Sequence, residues 1–387
     1  TAPIAGMDGG EIRASLYSGG KLTVAGFQTV NGKKRLAMAR FNADRTLGNG
    51  ALDTSFGNGG TMVQNLGDES WASALVAQGS GYLVAGVQRT NSETGGDDFN
   101  FPLVRVNSDG SLDSSFRFVA GAPDPLTLPG AQYATSVVVG SDNTIYVVGY
   151  GDPTSPAPSN TSDIIIAAFN PDGSAISGGV DTYDFAGNQE IATTALVQTS
   201  GGVDRIMIGG SIGMGSSSDA LFLRVMGLRG SNQMMFLAGD PNFGNGGMVR
   251  YDLGGYGDSI RSMVMQPSNR LVAVGSRGKS SGSSVSMIGL SFNGNKDAGF
   301  GSNGIANYDI SGVNSGAAND IALDSRTGAI YLAGSADNSL LLARYNQDGT
   351  SDGMASTARV FGSAPVGYSI ALGQDSKPLV GGVNGGV

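Results

Sequence analysis

The chain has 387 residues, 40% of them hydrophobic and 14% charged, with 64 glycines, no cysteine, no histidine and a formal net charge of −9. Disulfides, thiolate metal sites, cysteine nucleophiles and every Ser-His or Cys-His arrangement are therefore excluded, along with the commonest metal ligand and the usual general base. The acidic balance argues against a nucleic-acid partner, no apolar run reaches the length of a membrane span, and no charged-then-apolar leader precedes Thr1.

Taken in order, the chain repeats one short apolar strand closed by glycine. It contains Gly26 in LTVAGF, Gly86 in YLVAGV, Gly149 in IYVVGY, Gly210 in IMIGGS, Gly275 in LVAVGS, Gly334 in IYLAGS and Gly382 in PLVGGV, spaced by 60, 63, 61, 65, 59 and 48 residues. An apolar segment precedes these strands (72–77, 136–139, 192–197, 260–265, 320–323) across turns such as Gly79-Ser80-Gly81, so each pair reads as a β-hairpin. A variable loop follows, then a third strand (37–41, 103–106, 164–169, 221–225, 286–291, 340–345), an Asn-x-Asp-Gly turn and a fourth strand such as 62–66 or 305–309.

Four antiparallel strands in a unit of this length make one β-propeller blade, because a small sheet buries its faces only by stacking on neighbours. The expectation is an all-β, single-domain β-propeller over residues 1–387, with seven blades and a ring closed by both termini. Six blades plus an extra hairpin is the alternative. Residues 1–5 stand where a fourth strand should precede the first hairpin, and 368–383 supply a seventh hairpin without a third strand. That strand is either absent or beyond Val387, and the abrupt GGVNGGV ending leaves open a longer surface protein.

The stretch LAMARFNADRTLGNGALDTSFGNGG at 36–60 recurs as PLVRVNSDGSLDSSF at 102–116 and LLARYNQDGTSDG at 341–353. It resembles the bacterial sixty-residue propeller repeat called the delta-60 repeat. The match is strong around Gly26, Gly86 and Gly334 and degraded around Gly149, Gly210 and Gly275, where Ala168, Val225 and Leu290 depart from the Arg pattern or its spacing. The resemblance implies a propeller and no activity that transfers residue by residue.

With the first strand innermost, the second-to-third and fourth-to-first loops emerge on one face, and the uniform Asn-x-Asp-Gly turns on the other. The second-to-third loops vary freely, which makes their face the better place for binding. Glutamate occurs only at Glu11, Glu69, Glu93 and Glu190, three of which open an innermost strand; Asp258 and Asp320 hold related positions. The prediction is a partial ring of carboxylates at a channel mouth. Glu93, Asp97 and Asp98 can lean towards it, and Trp71, Tyr133, Tyr256 and Tyr368 lie close in sequence. Glu69, Glu190, Asp258 and Asp320 are the candidate ligands for a metal, with Ca²⁺ the ion suited to such oxygens. The competing reading is that each carboxylate accepts backbone N–H groups and fixes its own loop; a catalytic pair ranks third.

Other features read as structure. Asn107 to Asp113 superficially matches a calcium loop, but lacks its terminal Glu and is explained by an Asx turn with left-handed Gly110. Phe56, Phe116, Phe243 and Phe300 read as wedges between blades, and Arg40, Arg105, Arg224 and Arg344 as partners of turn aspartates such as Asp53 and Asp113. AVGSRGKS at 273–280 and GGSIG at 209–213 fit a phosphate-loop and a nucleophile-elbow pattern, yet no helix is expected after either.

The expected function is an exported, non-catalytic binding or scaffolding module of a bacterial cell surface, extracellular space or periplasm, with protein or glycan partners and no membrane insertion. A polysaccharide lyase or glycoside hydrolase using carboxylates is the alternative. A single tryptophan counts against extensive sugar stacking.

Overall fold

A computed structural model describes residues 9–43, 50–91, 97–117, 130–152, 162–185, 187–213, 217–230, 234–352, 356–358 and 365–383. The first sheet runs β1 (Glu11–Ser18), β2 (Lys21–Val30), β3 (Lys33–Asn42), β4 (Thr61–Gln64). In the second, β5 (Glu69–Gln78) pairs with β6 (Gly81–Asn91), which also holds β7 (Asp97–Asn100) and β8 (Leu103–Val106). The third is β9 (Gln132–Val139), β10 (Ile145–Gly151), β11 (Asp163–Phe169), β12 (Ala175–Tyr183). The fourth is β13 (Glu190–Ser200), β14 (Val203–Ile212), β15 (Asp219–Arg229), β16 (Met235–Gly239), with β17 (Met248–Tyr251) also on β15. The fifth is β18 (Asp258–Met265), β19 (Leu271–Gly278), β20 (Ser283–Leu290), β21 (Ile305–Tyr308), and the sixth β22 (Gly316–Leu323), β23 (Ile330–Ala336), β24 (Ser339–Tyr345), β25 (Ser356–Ala358). The last sheet is the hairpin of β26 (Val366–Leu372) and β27 (Pro378–Val383).

Among the described residues there are thus six sheets of four or five strands and one hairpin, the arrangement given above as the alternative to seven full blades. The strand expected at residues 1–5 lies outside the described residues. Two compact units are formed, one from Thr1–Ala192, Thr199–Asp204 and Gly227–Leu237, the other from Thr193–Gln198, Arg205–Met226 and Ala238–Val387.

The repeated glycine has a specific cause. Strands β1, β5, β9, β18, β22 and β26 each carry an irregularity in register opposite the second strand, at Arg13, Ser73, Thr135, Arg261, Asn319 and Tyr368. Such a bulge bends the strand and drives one of its carbonyls at its neighbour. A Cβ at Gly26 would lie 1.8 Å from the Glu11 oxygen, at Gly86 2.0 Å from Trp71 O, and at Gly275 1.9 Å from Ser259 O. Only glycine fits there.

The core lies between successive sheets within each unit. In the first, Leu36, Met38 and Phe56 pack with Val84 and Val106, and Leu83, Phe101 and Phe116 pack with Val147 and Phe169. In the second, Phe222 and Phe243 pack with Ile260 and Ile288, and Met287 and Phe300 with Leu332 and Tyr345. Each buried Phe contributes on the order of 2 kcal/mol from its removal from water.

The wedges have a repeated seat. Phe56, Phe116, Phe243 and Phe300 press on Gly110, Gly173, Gly294 and Gly349, the glycines of the next repeat's turn. The residue after each wedge donates its backbone N–H to that same turn, Gly57 to Asp109 O (2.6 Å), Arg117 to Asp172 O (2.8 Å), Gly244 to Asn293 O (3.0 Å) and Gly301 to Asp348 O (2.7 Å). The turn itself is an Asx turn. Asp109 Oδ1 accepts from the Ser111 amide at 2.9 Å and from its hydroxyl at 2.7 Å, and Gly110 has φ 85°.

Candidate functional site

The ends of strands opposite the Asx turns carry the predicted residues, and the structure gives most of them partners. Glu11 accepts from Arg13 Nε at 2.8 Å. Glu69 accepts from Arg89 Nη1 at 2.7 Å and from the Lys34 amide at 3.2 Å. Asp320 is saturated: Oδ1 accepts from Ser262 Oγ (2.6 Å) and the Ile321 amide (2.9 Å), and Oδ2 from the Ile370 amide (2.8 Å). Glu69 and Asp320 accept backbone N–H groups, as the competing reading has it, whereas the described partner of Glu11 is the Arg13 side chain. Asp97 and Asp98 lie in β7 opposite Asn91 and Thr90, and their side chains fall outside the described residues, as does Glu93 altogether. Tyr368 is the bulged residue of β26, and Tyr256 stands 60% exposed between Asp252 and Asp258.

Two aromatic groups in the first unit are half-buried, and the first has cations against its rings. The Trp71 ring has Lys34 Nζ 5.1 Å and the Arg13 guanidinium 5.8 Å from its centroid, and both cations also face Phe27, at 4.8 and 5.6 Å. On the next sheet Tyr133 is stacked between Phe99 and Tyr150, each centroid 5.3 Å away. Burial, with Tyr150 beside it, pushes the Tyr133 hydroxyl up to about 12, so it stays protonated at neutral pH. Phe99, Tyr150, Arg13 and Lys34 were missed from sequence because their proximity follows from strand register rather than from spacing.

Glu190 and Asp258 behave differently from the other acids. Glu190, the first residue of β13, is 0% exposed, and neither carboxylate oxygen makes a hydrogen bond of good geometry. One of its oxygens lies within 4.8 Å of carboxylate oxygens of Asp163 and Asp184. Burial pushes its carboxyl up to about 7, opposed in part by the Phe185 backbone amide and reinforced by the charges of Asp163 and Asp184. Asp258, the first residue of β18, is 1% exposed; Oδ2 accepts from the Leu253 amide at 2.7 Å and Oδ1 has no partner. It forms a second trio with Asp219 and Asp252, again with oxygens within 4.8 Å of one another. Burial raises its carboxyl as well, opposed by the Leu253 amide. These are acidic clusters able to hold a metal ion, and Asp163, Asp184, Asp219 and Asp252 were not among the predicted ligands. The signal for them was present in TSDIII and SSDALF, where Ser-Asp opens a third strand, and in an aspartate six residues before each buried acid.

Neither spurious motif gains support. Segment 273–280 leads from β19 through a loop into β20 with no helix between, and after 209–213 the described residues before β15 hold no α-helix, only a 3-10 position at Ser217. No helix among the described residues is long and apolar enough to cross a membrane.

Among solved structures, the periplasmic gluconolactonase PpgL of Pseudomonas aeruginosa aligns with a TM-score of 0.51 at 9% identity, over 92% of this chain and 87% of that one. The chain is a β-propeller. The polysaccharide lyase Uly1 aligns with a TM-score of 0.50 at 11% identity, over 97% and 87% of the two chains. Prolyl oligopeptidase B from Galerina marginata aligns with a TM-score of 0.41 at 12% identity over 96% of this chain, which spans only 46% of that protein. A family model described as a domain of unknown function (DUF5122) beta-propeller matches residues 20–56 and 78–116, the first two repeats of this propeller. No curated protein matches the sequence. At these identities the likeness shows the fold alone.

Proposed function

We propose that this propeller is a non-catalytic binding module, exported to a bacterial cell surface, extracellular space or periplasm, which engages a protein partner through the aromatic and basic surface of its first repeats. The observation that carries this reading is Trp71 flanked by Lys34 and Arg13, beside the Phe99–Tyr133–Tyr150 stack. Half-exposed aromatics with adjacent Arg are the residue types that carry interface energy. Arg13, Lys33 and Arg89 are paired there with Glu11, Asp68 and Glu69, and β7 adds Asp97 and Asp98, so the charge around the aromatic groups is mixed. Two acids of that surface, Glu11 and Glu69, are tied to Arg13 and Arg89, which favours binding over acid–base chemistry. The Gly, Ser, Asn and Asp bias of the composition supports export.

The test is affinity measurement against surface proteins of the source cell envelope and against neutral and acidic glycans, using the full chain and the variants Trp71→Ala and Lys34→Ala. A protein partner whose affinity falls at least tenfold in both variants supports the reading. Turnover of any glycan would move the assignment to a polysaccharide lyase or glycoside hydrolase. Calcium enters the proposal as a structural ion at the buried acids, with no part in chemistry.

A further inference from the structure

We propose that Asp163, Asp184 and Glu190 form a binding site for a hard divalent cation of the calcium class, and that Asp219, Asp252 and Asp258 form a second copy of it one repeat later.

The two trios are the same positions in successive repeats. In β11 and β12 Ile164 pairs with Tyr183, and in β15 and β17 Ala220 pairs with Tyr251. Asp163 and Asp219 precede the first partner; Asp184 and Asp252 follow the second. Glu190 and Asp258 then come six residues after Asp184 and Asp252. Their amides make the same bond, Glu190 N–H to Ser162 O and Asp258 N–H to Ser218 O, each at 2.7 Å. Three strand ends from two neighbouring sheets are thus drawn to one point by backbone pairing.

At that point the charges are unbalanced. In the first trio, among the described residues, none of the three carboxylates has an ion pair, and the deepest, Glu190, is fully buried with only the Phe185 amide near it and no hydrogen bond of good geometry to either oxygen. In the second, Arg250 pairs with Asp219, while buried Asp258 still presents a bare Oδ1. Carboxylate oxygens no more than 4.8 Å apart can share one ion, since calcium sits roughly 2.4 Å from each oxygen it binds. The chain has no histidine or cysteine, and an all-oxygen donor set selects calcium, magnesium or manganese over zinc or copper.

Other repeats supply an internal comparison. In the first sheet Leu36 pairs with Gln64, so Arg35 stands at the Asp163 position and Asn65 at that of Asp184. Arg35 Nη1 donates to Asn65 Oδ1 at 2.7 Å, Gly67 O at 3.0 Å and Asp68 O at 2.7 Å. The chain's own cation fills the place. In the fifth sheet Val285 pairs with Tyr308, which puts Ser284 and Ser315 at the positions of Asp163 and Glu190. The one acid left, Asp309, is paired with Lys279 at 3.2 Å and Arg277 at 3.4 Å. Where the acids are reduced, side chains provide the positive charge; where three acids converge, they provide none by ion pairing in the first trio and only Arg250 in the second.

This inference is independent of the partner proposed above. The experiment is titration calorimetry of the full chain, stripped with EDTA, against CaCl₂, with thermal melts in calcium and in EDTA, for the wild type, Glu190→Gln, Asp258→Asn and the double variant. Two binding events are expected for the wild type, one for each single variant and none for the double. Calcium should raise the wild-type melting temperature and leave the double variant's unmoved. In EDTA the double variant should melt no lower than the wild type, because neutral amides remove the repulsion. A wild type that binds none of Ca²⁺, Mg²⁺ or Mn²⁺ overturns the proposal, and needs no variant to fold; so does a double variant that binds calcium like the wild type. Neither result bears on the effect of Trp71→Ala on a protein partner.

Discussion

Arg224 Nε stands 2.9 Å from Asp240 Oδ2, with both side chains almost wholly enclosed at 1% and 0% exposure. The same guanidinium lies 4.8 Å from the Phe243 ring and donates through Nη1 to Phe292 O of the next repeat. Arg40 does likewise with Asp53 (2.7 Å), Phe56 (4.8 Å) and Ser108 O, and Arg105 with Asp113 (2.7 Å), Phe116 (4.9 Å) and Pro171 O (2.9 Å). Removing Asp240 would strand two cations, since Arg205 Nε also donates to Oδ2 at 2.9 Å. Asp240→Ala should cost about 3–5 kcal/mol by urea unfolding, the usual result of breaking one side of a buried pair. A loss below about 1 kcal/mol would mean that Arg224 is held by other bonds.

Acid should loosen these turns in a defined window. The Ser115 hydroxyl and amide, then Arg105, hold the Asp113 carboxyl down at about 2, against an unfolded value of roughly 3.9. Because the folded pKa is the lower, the stabilisation is complete above pH ~4 and is lost as pH falls through ~2. Melting temperature should drop across that interval, and Asp113→Asn should make the drop shallower. An identical pH profile for the variant would remove Asp113 from the account.

The bulge–glycine contact predicts a contrast between two alanines. Gly275→Ala would place a methyl 1.9 Å from Ser259 O, while at Gly373 the nearest atom is 3.6 Å away. The first should cost about 1–3 kcal/mol by overpacking. The second should be close to neutral, and equal effects on the melts would show that the innermost strand gives way.

Phe300→Ala should cost roughly 3–5 kcal/mol by chemical denaturation, as for other fully buried aromatics. Its ring fills the space over Gly349 of the next repeat and Gly289 of its own, so the cavity has glycines on two sides and little that can collapse into it.

Much of this was written in the sequence because the repeat puts identical contacts at identical spacings. The glycine ruler, the Phe wedge, the Asx turn and the pairing of Arg40, Arg105, Arg224 and Arg344 with turn aspartates all follow from one unit read several times. The degraded repeats hid a substitution instead. Gly289 faces Val272 as Arg40 faces Thr23, so the fifth sheet lacks its arginine there, and Arg270, just before β19, reaches Asp297 at 2.6 Å. Arg270 precedes Gly275 by five residues, as Lys21 precedes Gly26 and Arg205 precedes Gly210, and Lys21 and Arg205 also meet their turn aspartates, Asp53 at 3.0 Å and Asp240 at 2.9 Å. The acidic sites were only half legible. Glu190 and Asp258 stood out as acids opening a strand, whereas Asp163 and Asp219 reach them by lateral pairing that no linear spacing encodes.

The latch from each wedge to the following turn also bears on how such a chain changes over generations. Every latch described joins a repeat to its immediate successor and runs in the same sense, from wedge to turn. An in-frame crossover between two copies of the repeat in the gene would join a donor half to an acceptor half of the kind it already had. The joint between repeats is thus the part that such an exchange would leave intact.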